Sequence, residues 1–421
     1  MTLLPNDPRT VAVPSGDARR RSRQSSYKIR RGFAGERTSR PPGSFEMRSL
    51  KSAPPRRPGD CETREACAPV PLGVEFVPPH WLRNPHLQSI LGSSGLRRWM
   101  LGPHARELEQ RSREEILELD GGVRLQGFYT PQRTSPMRRG LVMLLHGWEG
   151  HAKSNYVVAT AASLLSAGYD VYRLNFRDHG DSHGRNLEPF HSCRLAEVLS
   201  AVARVFARPG AGVRAIAGFS LGGNFALRVA NAAPTRGIPI DYALAVCPVI
   251  DPAAGLHQLE HAPIYHAYFM RKWRLSLRRK QSLFPAHDLI SREALRLNMR
   301  ELTRALVMRY TEFDSLEAYL DGYSVAGDRL AGLRIPTTIL AATDDPVIPL
   351  ANFRALRLPA CVELDIARYG GHCAFLGGAN LRSFVEEYLL ARLQVRARAE
   401  DSRDRGDADA RPRVASGTGA P

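Results

Sequence analysis

Cysteine is scarce and poorly placed for chemistry of its own. Cys61, Cys67, Cys193, Cys247, Cys361 and Cys373 include no C-x-x-C pair and no zinc-ligand spacing. The sequence therefore predicts no disulfide framework and no metal, and reduced thiols in a cytoplasmic setting are the expectation. No apolar run approaches the ~18 residues that cross a bilayer. The N-terminal stretch also lacks the roughly 7–15-residue apolar segment of a secretory signal. Acidic residues are outnumbered, 42 against 59 Lys and Arg, for a formal net charge of +17. The excess is dense in residues 1–68, a stretch rich in Arg, Pro, Ser and Gly that contains Arg19-Arg20-Arg21-Ser22-Arg23. Such a segment buries too little apolar surface to offset its ordering entropy, so a disordered basic arm is expected. Residues 394–421 alternate Arg with Asp and Glu and are expected to form a disordered tail. A solvated arm without a partner is the first expectation, weak contact with an anionic membrane surface the second, and no nucleic-acid partner is expected.

What remains, residues 69–393, has the apolar content of a large core. Residues 76–91 are aromatic and proline-rich, too broken for a helix, and are expected to pack across the core as its first ordered element. Asp120-Gly121-Gly122 lies between two strand-like runs, a hairpin signal. Residues 140–145 are a continuous apolar run of the kind found in fully buried parallel strands. Strand and helix patterns then alternate through 171–176, 195–206 and 213–219, which implies parallel pairing through right-handed crossovers. Residues 251–325 contain no strand pattern and read as a helical cap inserted over the carboxyl ends of the strands. Its charge run, Arg278-Arg279-Lys280, reads as a solvated face. Strands resume at 336–342 and 362–366, and a last helix ends at Leu393. The fold class is therefore α/β: a mostly parallel central sheet, helices on both faces, and a helical cap insertion.

The chemistry centres on Gly218-Phe219-Ser220-Leu221-Gly222, a strand, a sharp turn and a helix with serine at the tip. Glycine on both sides allows the tight bend, and the bend lifts the hydroxyl to where a base can reach it. The Leu221 N–H opens a helix and has no intrahelical partner, so it is a candidate oxyanion donor. The second candidate is the Trp148 N–H, in the turn His146-Gly147-Trp148-Glu149-Gly150 that follows a central strand. The candidate acid lies in Thr343-Asp344-Asp345-Pro346. Successive residues of an extended segment face opposite ways, so only one carboxylate can serve; Asp345 is favoured, with Asp344 open. His372, in Tyr369-Gly370-Gly371-His372, completes the order Ser, Asp, His. The cluster from Arg177 to Gly184 holds His179 and His183 but no zinc spacing, and reads as a polar loop held by Arg177–Asp contacts. Cys373 has no elbow of its own and is not a candidate nucleophile.

Several motifs carry a family resemblance over residues 76–393: W-L-R-N-P-H-L-Q from Trp81, H-G-W-E-G from His146, N-F-R-D-H-G from Asn175, G-F-S-L-G-G-N from Gly218, D-D-P from Asp344 and Y-G-G-H from Tyr369. With these the chain resembles the α/β hydrolases of the YheT-like group, which includes the eukaryotic abhydrolase-domain lipid hydrolases. The resemblance implies a serine esterase without cofactor, acting on an acylglycerol, a phospholipid or a small ester. The loop after Asn175 and the cap depart from the pattern of relatives, so the acyl chain and alcohol stay open. An acyltransferase with the same residues and a non-catalytic binding module are the alternatives, and no oligomeric state is implied.

Overall fold

The computed structural model describes residues 72–135, 138–210 and 212–409. The expected basic arm, 1–68, lies outside them, as does the end of the expected tail. The chain enters at β1 (Leu72–Val74), followed by α1 (Pro85–Gly92), α2 (Gly95–Met100) and α3 (Gly102–Arg111). The hairpin is β2 (Arg113–Glu118) and β3 (Arg124–Thr130). Next come β4 (Gly140–Leu145), α4 (Asn155–Ser166), β5 (Tyr169–Leu174), α5 (Leu195–Phe206), β6 (Val213–Phe219), α6 (Leu221–Ala232) and β7 (Tyr242–Val246). Four helices then intervene without a strand: α7 (Pro252–Glu260), α8 (Pro263–Leu283), α9 (Met299–Tyr310) and α10 (Leu316–Gly322). The chain ends in β8 (Thr337–Ala342), α11 (Leu350–Arg354), β9 (Val362–Ala367) and α12 (Phe384–Asp409).

The strands form one sheet in the order β1-β9-β8-β7-β6-β4-β5-β3-β2. Only β3 runs against its neighbours; every other pairing is parallel. Because side chains alternate along a strand, β4 feeds two cores. Leu141, Met143 and Leu145 pack with α5 and α6, through Val202, Phe225 and Val229. Val142 and Leu144 pack on the other face with α4 and α12, through Val157, Leu164, Val385 and Leu389. Burial on both faces explains the uninterrupted apolar run. The cap has a third cluster of its own, including Met270, Leu302, Leu316 and Tyr319.

Three expectations are corrected. Residues 76–91 are not too broken for a helix: α1 forms because the Asn84 side chain accepts from the N–H groups of His86 and Leu87, and Pro85 takes the first helical position. The last helix does not stop at Leu393. Arg, Ala and Glu are good helix formers, and α12 continues to Asp409. Lys280 is not on a solvated face: it is 1% exposed and donates to Asp178 at 2.7 Å.

One tie between the cap and the sheet is a buried side chain on α6. Asn224 Nδ2 donates to Val249 O at 2.9 Å and to Tyr323 O at 2.8 Å, carbonyls at the two ends of the cap insertion. Replacing this donor leaves both carbonyls unsatisfied away from water. Asn224→Ala should therefore lower unfolding free energy by about 2–3 kcal/mol, measured by urea titration; a change within error would show that the cap is held elsewhere.

Candidate active site

Ser220 sits between β6 and α6 with φ 54° and ψ −116°, a left-handed conformation unusual for a residue with a side chain. The neighbouring packing enforces it. A Cβ on Gly218 would lie 2.0 Å from Gly222 O, and one on Gly222 would lie 2.4 Å from Leu145 O. Backbone bonds pin the turn further: Ser220 N donates to Val246 O at 2.9 Å, and Ser220 O accepts from Asn224 N at 3.0 Å. The hydroxyl is thus presented beyond the carboxyl end of the sheet.

The His372 loop follows β9 and brings the imidazole to the serine, with Nε2 2.9 Å from Ser220 Oγ. His372 Nδ1 lies 2.9 Å from Asp345 Oδ2 and 3.1 Å from Oδ1. An ionised carboxylate only accepts, so Nδ1 carries a proton, and in the neutral ring Nε2 is free to accept from the hydroxyl. Asp345 Oδ1 also accepts from Val347 N at 2.8 Å and Ile348 N at 3.0 Å, which fixes the carboxylate. Asp344 instead accepts from Gly371 N at 3.0 Å. Of the two aspartates, Asp345 faces the imidazole and Asp344 braces its loop. Ser89 of α1 completes the bracing, its Oγ accepting from His372 N at 2.9 Å. Burial pushes the His372 pKa down, but the charge and hydrogen bonding of Asp345, with a contribution from Cys373, outweigh it and hold it well above the usual histidine value.

The two candidate oxyanion donors belong to α6 and to the turn after β4. Leu221 is the first residue of α6. In the turn after β4, Gly147 N donates to the Tyr156 hydroxyl at 2.9 Å, Glu149 N to His179 Nε2 at 3.2 Å, and Gly150 N to Gly147 O at 2.9 Å. Trp148 N is left without a partner among the described residues. A Cβ on Gly147 would lie 3.3 Å from Ser220 Cβ, so this turn abuts the serine.

His179 was legible as part of a polar cluster, not as a support for this turn. Burial lowers its pKa to about 3, so it stays neutral and can accept from Glu149 N, while its Nδ1 donates to Arg177 O at 2.7 Å. The loop is not held by Arg177–Asp contacts. Arg177 pairs with Glu197, and Asp178 pairs with Lys280 of α8. The cap reaches the same turn. Trp148 stacks on Phe269 with centroids 5.3 Å apart, meets Trp273 edge-on, and Lys272 Nζ donates to Glu149 O at 2.6 Å. Beside the turn lies a cavity of about 370 Å³, lined by Phe128, Glu149, His179, Lys272, Leu275 and Arg279 among others. None of Ser220, Asp345 and His372 lines it.

Comparison with known proteins gives the family. Residues 142–382 match the model of the alpha/beta hydrolase family. The chain is 26% identical over 347 residues to the putative esterase YheT of Escherichia coli (strain K12), covering 77% of this chain and 95% of that protein. Similar solved structures include the Pyrococcus furiosus esterase Pf2001, with a TM-score of 0.45 and 15% identity over 69% of this chain and 91% of that one. Est1E from Butyrivibrio proteoclasticus, solved with ferulic acid, has a TM-score of 0.44 and 17% identity over 67% and 98% of the two chains.

Asp345→Asn removes the negative charge that favours the imidazolium, so the pKa of His372 should fall. The ring-proton chemical shift of His372, followed by NMR against pH, reads this directly; an unmoved midpoint would mean that Asp345 is not the partner that raises it.

Proposed function

The chain belongs to the alpha/beta hydrolase family, and we propose that it cleaves carboxylic esters through an acyl-enzyme on Ser220. The observation that carries this reading is the continuous relay from Ser220 Oγ to His372 Nε2 at 2.9 Å and from His372 Nδ1 to Asp345 Oδ2 at 2.9 Å. As Ser220 Oγ attacks the ester carbonyl, its proton passes to Nε2. Asp345 stabilises the imidazolium and holds the ring in the productive tautomer. Negative charge grows on the carbonyl oxygen, where the Leu221 and Trp148 N–H groups receive it; one such donor lowers the barrier by ~3–4 kcal/mol. The imidazolium then protonates the departing alcohol. Water, deprotonated by the same nitrogen, releases the acid and restores Ser220. The cycle uses no cofactor.

Acylglycerols, phospholipids and small esters are the proposed substrate class; the relative's being a putative esterase supports ester cleavage alone. Weak contact with a membrane surface belongs to the same proposal, since Leu87, Ile90, Leu96 and Trp99 are exposed on α1 and α2. No helix among the described residues is long and apolar enough to cross a membrane. A cytoplasmic location, expected from scattered cysteines without a disulfide framework in the sequence, is part of the same proposal.

Ser220→Ala should lose labelling by a fluorophosphonate probe and lower kcat on short p-nitrophenyl esters by roughly 10⁴–10⁶-fold, with circular dichroism unchanged. Retained turnover would remove Ser220 from the chemistry. The pH profile tests the base. His372 acts only when unprotonated and its pKa is raised, so kcat/KM should fall as pH drops through a limb that lies above the ordinary histidine value of ~6.5. A limb below that value would contradict the charge arrangement at Asp345.

A further inference from the structure

We propose that Cys247, His372 and Cys373 form a binding site for a thiophilic divalent cation such as zinc or cadmium, and that an ion held there takes the imidazole away from its work at Ser220. The sequence spacing gives no hint of this, because Cys247 follows β7 while His372 and Cys373 lie in the loop after β9. The fold joins them. Both cysteines have left-handed backbone, φ 42° at Cys247 and φ 61° at Cys373. Adjacent side chains usually diverge, and the turn at Cys373 keeps its sulfur on the side of the preceding imidazole. Each thiol reaches across to the other's segment: Cys373 Sγ donates to Val246 O at 3.5 Å, and Cys247 Sγ to Gly371 O at 3.9 Å. The two sulfurs and one ring nitrogen of His372 lie within 4.8 Å of one another, and no other such group of three occurs among the described residues.

Two sulfurs and an imidazole are the donor set that zinc and its heavier congener prefer. Zinc bonds of ~2.3 Å to sulfur and ~2.0 Å to nitrogen place tetrahedral ligand atoms roughly 3.5–3.8 Å apart. Closing on an ion therefore requires side-chain movement on the order of 1 Å. Cys247 is fully buried and Cys373 is 8% exposed, so the ion would be held away from bulk water. Each thiol releases its proton to solvent as its sulfur–metal bond forms, and binding strengthens as pH rises.

The consequence for catalysis follows from the imidazole having two nitrogens. Nδ1 is taken by Asp345 and Nε2 by Ser220. Whichever nitrogen enters the metal's coordination shell, one of these two bonds is lost. Metal binding and general-base action therefore exclude each other. The binding stands independently of the esterase reading; only its effect on hydrolysis rests on that reading.

Full-length Ser220→Ala, which keeps all three ligands, is titrated with cadmium under reducing conditions. The sulfur-to-cadmium charge-transfer absorption is followed in the ultraviolet and bound metal is counted by elemental analysis. One equivalent per chain with a thiolate band is expected. Adding Cys247→Ser and Cys373→Ser should abolish the band and weaken binding by at least about tenfold, a loss that even outer-shell partners of a metal can cause. Cys193→Ser with Cys361→Ser should leave both unchanged. A band that survives loss of Cys247 and Cys373, or no band in the parent, overturns the site. Should the double variant fail to fold, Cys373→Ser alone decides by the same readings. In the wild type, zinc should abolish ester turnover and a chelator should restore it. Full turnover with the metal bound overturns the exclusion, whereas a wild type with no turnover before metal is added counts against the esterase reading and leaves the cadmium result standing.

Discussion

The left-handed backbone at Ser220 is the constraint on which the rest depends. A residue with a side chain in that conformation costs of order 1–3 kcal/mol, and it persists only where surrounding structure leaves no alternative. Here the alternatives are closed from two sides. Gly218 and Gly222 touch across the turn, and Gly222 also packs against the carbonyls of Leu145 and His146 at the end of β4. The serine turn and the turn carrying Trp148 are therefore one packed unit, not two loops that meet by chance. Moving either would require separating β4 from β6 in the middle of a sheet buried on both faces.

The same unit carries the cap. Asn224, one helical turn after the serine, holds both ends of the insertion. From the other side, α8 lays Phe269 and Trp273 against Trp148 and sends Lys272 to the Glu149 carbonyl. The buried Lys280–Asp178 pair joins α8 to the loop that contains His179. Desolvating two charges offsets most of their attraction, so a pair of this kind contributes position more than stability. Position matters here, because His179 holds Glu149 N and leaves Trp148 N as the unpaired donor of its turn.

Local signals carried most of the architecture. The apolar run of β4, the period of α5 and the glycines around Ser220 each state their structure within a few residues. So does the order Ser220, Asp345, His372 along the chain. What was not legible depends on partners far away in sequence. Ser89 supports His372 across 283 positions, and nothing near Ser89 announces it. Lys280 reads as exposed beside two arginines until Asp178 is placed opposite it. Asn84 and Pro85 were a readable cap and helix start, and the surrounding prolines and aromatics obscured them. In α12 the alternation of Arg with Asp and Glu suits either a solvated tail or a helix, because composition alone does not separate the two.

The adjacent aspartates show how backbone geometry distinguishes the favoured Asp345 from its alternative, Asp344. In Asp344-Asp345 both side chains are chemically equal, and both lie just past the end of β8. Val347 and Ile348 turn their N–H groups back onto Asp345 Oδ1, which fixes that carboxylate toward the His372 ring. Asp344, facing the other way, is left to accept from Gly371 N. One carboxylate therefore orients the imidazole and its neighbour orients the loop that carries the imidazole. Exchanging their roles would require the turn after β8 to close on the opposite side. It follows that the carboxylate facing the imidazole is set by the backbone N–H groups of the residues after it, Val347 and Ile348.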